Sequence, residues 1–315
     1  MNKSWFISTI FLLLSSCKMI TSSDKQFVTV DESKMYRLKF NPVIGAKYHY
    51  DIVNKTSIKM EVNDTKVDNV NTTTVGVYYT IEKDSTDGFV INMSYDKINI
   101  SSRTPDTESE MDADNASLTN NVMEKMLGLL KTARISILVG PDGNVKSITG
   151  YKELTDKVMA QFEKADTYTR AAARKQWSQF VEKGIVKSNL EQLLKIFPDS
   201  AVHLGDRWKL DIAQHEELGL VAKSTFQLTE IENNFARIIS SGDIGSGGKS
   251  VDLMGQTVNV NLKGQQTGEY KIDVLSGMLL KSDVHAQVEG VITVMGKERE
   301  IKIETSFQLV GERKK

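Results

Sequence analysis

Apolar and polar residues alternate with a period of two over long stretches at both ends of the chain, and with a period near 3.6 in the middle. Tyr48, Tyr50, Ile52, Ile58, Met60 and Val62 share one parity, while His49, Asp51, Lys55, Lys59 and Glu61 hold the other. That pattern predicts a long strand with one covered face and one wet face. Val75, Val77, Tyr79 and Ile81 repeat it, Asp87-Gly88 is a hairpin signal, and Phe89, Ile91, Met93 and Tyr95 form the returning strand. The acidic stretch 102–115 reads as a loop. Residues 35–115 therefore form a first β unit. Residues 116–198 read as helical: Leu118, Val122, Met126 and Leu129 are spaced for one helix face, Leu154, Val158 and Phe162 for another. A hairpin of Ile135–Val139 and Val145–Ile148 around Pro141-Asp142-Gly143-Asn144 interrupts them. Further helix follows through Trp177, Phe180, Val181, Leu190, Leu194 and Phe197, and Pro198 ends it. Residues 199–315 return to strand, with Val284, Ala286, Val288, Ile292 and Val294 alternating, and then Ile301, Ile303, Thr305, Phe307 and Leu309, across a turn at Met295-Gly296-Lys297-Glu298. The connections are too short for parallel crossovers. The expected class is α+β: curved antiparallel sheet from two related β units, covered by a central helical segment, with 35–315 as one compact domain.

The two β units share a local signature. Gly45-Ala46-Lys47-Tyr48-His49-Tyr50-Asp51-Ile52 resembles Gly205-Asp206-Arg207-Trp208-Lys209-Leu210-Asp211-Ile212 at an offset of 160. Each copy follows a Pro-containing segment and leads into a long alternating strand and a hairpin, so we expect an internal duplication.

The first residues are a separate matter. Lys3 precedes an apolar run from Trp5 to Leu14, too short for a membrane-spanning helix but suited to a cleaved signal over 1–16. Leu14-Ser15-Ser16-Cys17 resembles a bacterial lipobox, which implies acylation of Cys17 and a membrane partner through that anchor. Several acyl chains make such anchoring effectively permanent. Lys18, where an Asp would favour the inner membrane, implies the outer membrane, with the domain facing the periplasm. Residues 17–34 read as a lipidated, polar tether.

Without residues 1–16 the chain has 299 residues, and its net charge moves from −1 to −2 with the loss of Lys3. That near-neutral balance argues against nucleic acid as a partner. Cys17 is the single cysteine, so disulfides, thiolate metal sites and a cysteine nucleophile are excluded once it is acylated. The domain must be held by its core alone, which a chain of this size can supply.

Candidate chemistry is sparse. Asp243-Ile244-Gly245-Ser246-Gly247-Gly248-Lys249-Ser250 approaches a phosphate-binding loop, but strand-like alternation follows where a helix N-terminus is required. His49, His203, His215 and His285 show no zinc spacing, and the acids of 102–115 lack the calcium-loop spacing, so no metal or cofactor is expected. Asp51 and Asp211 occupy equivalent repeat positions but lie on the polar parity, which favours a solvated role over an acid–base pair. No catalytic residue is assigned. The helical faces supply a candidate apolar groove against the sheet, lined by Met126, Leu130, Phe162, Trp177, Phe180 and Leu194.

The Phe197-Pro198 segment leading to Gly205-Asp206-Arg207-Trp208, together with Gly268-Glu269-Tyr270-Lys271-Ile272-Asp273 and Ser276-Gly277-Met278-Leu279-Leu280, resembles a lipoprotein family of unknown function from Bacteroidota-type bacteria. The likeness covers most of 35–310 and implies export and anchoring; it brings no catalytic residues. A looser architectural resemblance is to bacterial lipoprotein carriers, whose curved sheet wraps helices around an apolar cavity. The expectation is a non-enzymatic envelope lipoprotein that binds a lipid or other apolar ligand, with a structural or protein-interaction role as the alternative and an unrecognised hydrolase as the third.

Overall fold

The computed structural model describes residues 33–62, 65–83, 88–119, 121–140, 143–178, 196–215, 219–248, 250–253, 256–294 and 296–314. Glu32–Lys315 clusters as one compact unit. Its strands are β1 (Lys47–Val62), β2 (Thr65–Lys83), β3 (Phe89–Arg103), β4 (Glu108–Asp112), β5 (Ile135–Val139), β6 (Val145–Thr149), β7 (Arg207–His215), β8 (Leu220–Glu232), β9 (Phe235–Gly245), β10 (Ser250–Leu253), β11 (Gln256–Asp273), β12 (Leu279–Val294) and β13 (Lys297–Lys314). Among the described residues three α-helices interrupt them: α1 (Val122–Lys131), α2 (Tyr151–Ala160) and α3 (Thr167–Ser178).

All thirteen described strands join one sheet in the order β6-β5-β3-β2-β1-β13-β12-β11-β9-β8-β7, with β4 added to β3 and β10 to β11. This corrects the expected α+β class: the fold is a single open antiparallel sheet, not a balanced pair of layers. The reason is length. β1, β2, β11, β12 and β13 run 16–19 residues, three times the usual strand, while the described helices have 10, 10 and 12 residues. α1 packs on β3 and β4, α2 on α1, and α3 on α2, so the helices stack over one end of the sheet and do not cover it. The acidic stretch 102–115 is also not all loop, because Glu108–Asp112 forms β4 against the end of β3.

The alternation that predicted the strands sorts their faces. Tyr50, Ile52, Val75, Val77, Tyr79 and Ile81 are each at most 2% exposed, on the inner face of β1 and β2. At Asp96 a bulge opposite Gly76 shifts the register of β3, so the inner set passes from Ile91, Met93 and Tyr95 to Ile98 and Ile100. One apolar cluster unites β5 (Ile135, Ile137, Val139), near one edge of the sheet, with β8 (Phe226, Leu228), near the other. The sheet is therefore curled around this cluster, which α1 and α2 cap with Met126, Leu127, Leu130, Leu154 and Val158. A second cluster, Leu220, Ala222, Ile244, Val258, Val260 and Leu262 with Val288, Ile292, Ile301 and Ile303, occupies the far end of the same face.

The duplicated signature has a structural counterpart. Gly45 (φ 78°) and Gly205 (φ 89°) both take a left-handed conformation just before β1 and β7. The Gly45 N–H donates to Ile81 O and the Gly205 N–H to Leu228 O, each at 2.8 Å. Tyr48 faces Tyr79 across the first pair of strands as Trp208 faces Phe226 across the second. The two units meet where the last strand, β13, pairs with the first, β1.

Candidate binding surface on the inner sheet face

The inner face is zoned along the strands. Between the helix-capped cluster and the far cluster runs a row of small and polar residues: Ser102, Asn71, Thr56, Thr305, Ala286, Gln266, Gly242 and Ser224. They stand side by side on eight neighbouring strands, β3 through β8 in sheet order. At the usual strand spacing the row is about 34 Å long. One step along the strands on the helix side lie Phe307, Val284 and Phe226. One step to the other side lie Ile58, Ile303, Val288, Ile244 and Ala222. Thr73, Asn54, Gly268 and Ser240 stand among the former and Asn69 and Gly264 among the latter, so the hydrogen-bonding row has apolar residues on both sides, more continuous on the far side.

The row has a closed half and an open half. Gln266 Nε2 donates to Ser224 Oγ, and these side chains are 3% and 1% exposed. Glycine sits among the inward positions there because other groups come close: a Cβ on Gly264 would lie 2.0 Å from the Gln287 carbonyl oxygen, where the strands bend tightly. From β12 to β3 the row reaches solvent: Ala286, Thr305, Thr56, Asn71 and Ser102 are half-buried and Asn54 is exposed. Ser102 Oγ donates to Asn69 Oδ1 at 3.2 Å.

Charge is absent from the middle of this surface. Among the described inward positions of β1, β3, β8, β9, β11 and β12, of β2 from Thr65 to Ile81, of β7 from Arg207 to Ile212 and of β13 from Ile301 to Leu309, there is no Asp, Glu, Lys, Arg or His; Lys83, His215, Lys297, Arg299 and Arg313 hold inward register positions nearer the strand ends. Tyr48, Tyr50, Tyr79, Tyr95 and Tyr270 face inward in the helix-capped zone, and burial raises each hydroxyl above its ordinary pKa, so they stay neutral. The middle of this surface can bind by packing and neutral hydrogen bonds.

The outer face holds the charges, and holds them paired. A shallow depression of about 660 Å³ lies behind the polar row, lined mainly by outward residues including Lys55, His285, Gln287 and Glu304. Another, of about 440 Å³, lies by the hairpins that end β8 and β11. There Arg237 sits 3.0 Å from Glu269 and 3.9 Å from Glu230, so its charge is met on both sides.

The residues singled out from sequence are distributed as follows. Met126, Leu130 and Trp177, at 3%, 1% and 1% exposure, are packed in the core, and Trp177 Nε1 donates to Thr155 Oγ1 at 3.2 Å. Phe162 is partly buried against the same cluster. Phe180, Leu194 and Cys17 lie outside the described residues. His49 lies between two outward carboxylates, with Nε2 3.0 Å from Asp96 and Nδ1 3.9 Å from Asp51, while His285 is 3.0 Å from Asp283 and His203 3.2 Å from Asp206. The His203 backbone N–H also donates to Asp206, which draws its carboxyl below the usual range and fixes the turn into β7. The structure keeps Asp51 and Asp211 apart, with β13, β12, β11, β9 and β8 between their strands. After Gly247 and Gly248 comes β10, a strand, so no helix N-terminus faces that loop. Among the described residues no cluster of His, Cys, Asp or Glu could hold a metal ion, and no helix is long and apolar enough to cross a membrane.

A family of unknown function (DUF6263) matches residues 86–279, which is more than half of the chain, and the protein belongs to that family. The match runs from the β2–β3 connection to the start of β12. No curated protein matches. Among solved structures, the translocator domain of the autotransporter NalP from Neisseria meningitidis is 5% identical, with 87% of this chain and 90% of that one covered at a TM-score of 0.22. OccK7 (OpdD) from Pseudomonas aeruginosa is 5% identical over 85% and 99% at 0.23. The COG4313 outer membrane channel from Pseudomonas putida F1 is 9% identical over 87% and 97% at 0.19. Scores this low carry no argument about fold or function.

Proposed function

We propose that this protein is a non-enzymatic envelope lipoprotein, anchored through Cys17 at the outer membrane on its periplasmic side, that holds an uncharged amphiphile on the inner face of its curled sheet. The observation that supports the reading is the zoning of the inner face, charge-free along its middle: apolar residues flank a row of hydroxyl and amide groups whose β12-to-β3 half reaches solvent. A neutral ligand would lay its apolar parts against half-buried Ile58 on one side and Val284 on the other, in front of buried Ile303, Val288 and Phe307. Its polar part would meet Thr56, Thr305 and Asn71. A charged ligand would lose its hydration there without gaining a counter-charge. This moves the expected site from the sheet–helix groove, where Met126, Leu130 and Trp177 are packed against their neighbours, to the middle of the sheet.

Native mass spectrometry of the full-length chain purified gently from its own envelope, followed by solvent extraction, tests the reading. A neutral lipid at fixed stoichiometry is expected, and Thr56→Leu with Thr305→Leu should abolish it while leaving the fold intact. The filled layer beneath the helices favours a second reading, an interaction scaffold with a solid core; an apo mass with nothing extractable would select that one.

A further inference from the structure

The end of the domain at which β1 begins carries exposed apolar side chains on two adjoining loops. Val43 and Ile44, before β1, are 40% and 49% exposed, and Leu275, between β11 and β12, is 70% exposed. The loops are tied together: the Asn41 N–H donates to Ser276 O at 2.8 Å and Asn41 Nδ2 to Leu275 O at 3.4 Å. Gly277 packs so closely on Lys39 that a Cβ there would lie 2.0 Å from the Lys39 carbonyl oxygen. The Tyr48 hydroxyl lies beneath both, bonded to the Val43 backbone and the Ser276 side chain, with Arg313 close by.

Cations stand beside these tips. Arg37, Lys39, Lys47 and Arg313 are exposed at this end, as is Glu82, which follows Ile81 next to the Val43–Ile44 tip. Two further acids are already engaged. Asp273 Oδ1 accepts from the N–H groups of Leu275 and Ser276 and from Ser276 Oγ, at 3.0, 2.7 and 2.9 Å. Glu312 is paired with Lys314. Apolar tips beside exposed Lys and Arg are an arrangement that sinks into the headgroup region of an anionic bilayer.

We infer that this end of the domain docks on a phospholipid surface, with Val43, Ile44 and Leu275 inserted among the headgroups and Arg37, Lys39 and Arg313 against lipid phosphates. The inference rests on the anchored reading of Cys17. Ser33, where the described chain begins, is sixteen positions after Cys17, a span of at most about 55 Å when fully extended. The described chain then runs through Lys39 and Asn41 straight into the Val43–Ile44 tip.

The test places a tryptophan at Ile44 or at Leu275 in the full-length chain, reconstituted in vesicles of phosphatidylethanolamine and phosphatidylglycerol with brominated acyl chains. Leu118→Trp, at a site 86% exposed on the approach to α1, is the control. Quenching of Ile44→Trp and Leu275→Trp, absent from Leu118→Trp and reduced several-fold when Arg37, Lys39 and Arg313 become Gln, is the expected result. No quenching at either tip, or equal quenching at Leu118→Trp, overturns it. Because the tips are labelled independently, a folding defect in one variant leaves the other informative. The mass of the extracted chain shows separately whether Cys17 is acylated: quenching of an unacylated chain would keep the docking and discard the anchor.

Discussion

Replacing Leu130 by Ala separates a packed core from a ligand groove beneath the helices. Leu130 is 1% exposed and lies in the cluster with Met126 and Leu127. Deleting three buried carbons at about 0.8 kcal/mol each sets a floor near 2.4 kcal/mol. The cavity left behind raises the loss to about 3–5 kcal/mol where neighbours cannot collapse into it. Trp177→Ala, which also removes the bond to Thr155, belongs at the upper end of that range. Urea unfolding of the full-length chain followed by circular dichroism measures both, and for a domain of this size each kcal/mol lowers Tm by about 2–4 °C. If these side chains instead lined an existing ligand cavity, truncation would remove little packing. A loss below about 1 kcal/mol in both variants would falsify the packed-core assignment and restore the sheet–helix groove as the binding site.

Other expectations are as direct. Gly45→Ala and Gly205→Ala should each cost about 1–2 kcal/mol and cost the same, because both glycines take a positive φ with no atom within 4 Å of a new Cβ; unequal losses in denaturant melts would argue against the structural repeat. Tyr50, Tyr79 and Tyr95 have folded pKa values raised by burial, so their contribution is fully present below the unfolded value near 10 and is lost as pH rises above it. Tyrosinate absorbance should therefore appear together with loss of tertiary structure, and early ionisation of these groups in a still-folded protein would contradict their burial. Gln266→Leu should leave Ser224 without its buried donor and cost about 1–3 kcal/mol in thermal melts, whereas Gln265→Leu, on the outer face of the same strand, should be close to neutral.

Much of the strand pattern was legible because one face of each strand is wet. The parity of Tyr48, Tyr50 and Ile52 in sequence is the parity buried in the sheet, and the hairpin around Gly143 and the turn at Gly296 lie where turn chemistry puts them. The fold class was not legible. Local alternation says that β1 exists but not that β13, at the other end of the chain, pairs with it over fourteen positions. The helical periodicity of Leu154 and Val158 correctly gave α2, yet periodicity does not reveal how little of a sheet with 16–19-residue strands such a helix can cover. The polar row left one trace in sequence: Asn54 and Thr56 interrupt the apolar parity between Ile52 and Ile58. A single interruption reads as noise. It becomes a site only when register lines it up with Asn71, Thr305 and Gln266 from strands far away in the chain.

The ladder between β1 and β13 also dictates the order in which the molecule can be made. Lys47 faces Lys314, so the inner strands of the first half wait for nearly the whole chain to be synthesised before their open edge is sealed. Contacts of such separation close slowly, since most of the loop entropy is spent before any pairing energy returns. Until then β1, paired with β2 on one side, leaves its other edge open along the fourteen positions that β13 later covers, the condition under which strands pair with the wrong partner. This nascent chain is therefore exposed to mispairing until its eighteen-residue strand β13 arrives, and a holding chaperone or an empty neighbourhood would protect it.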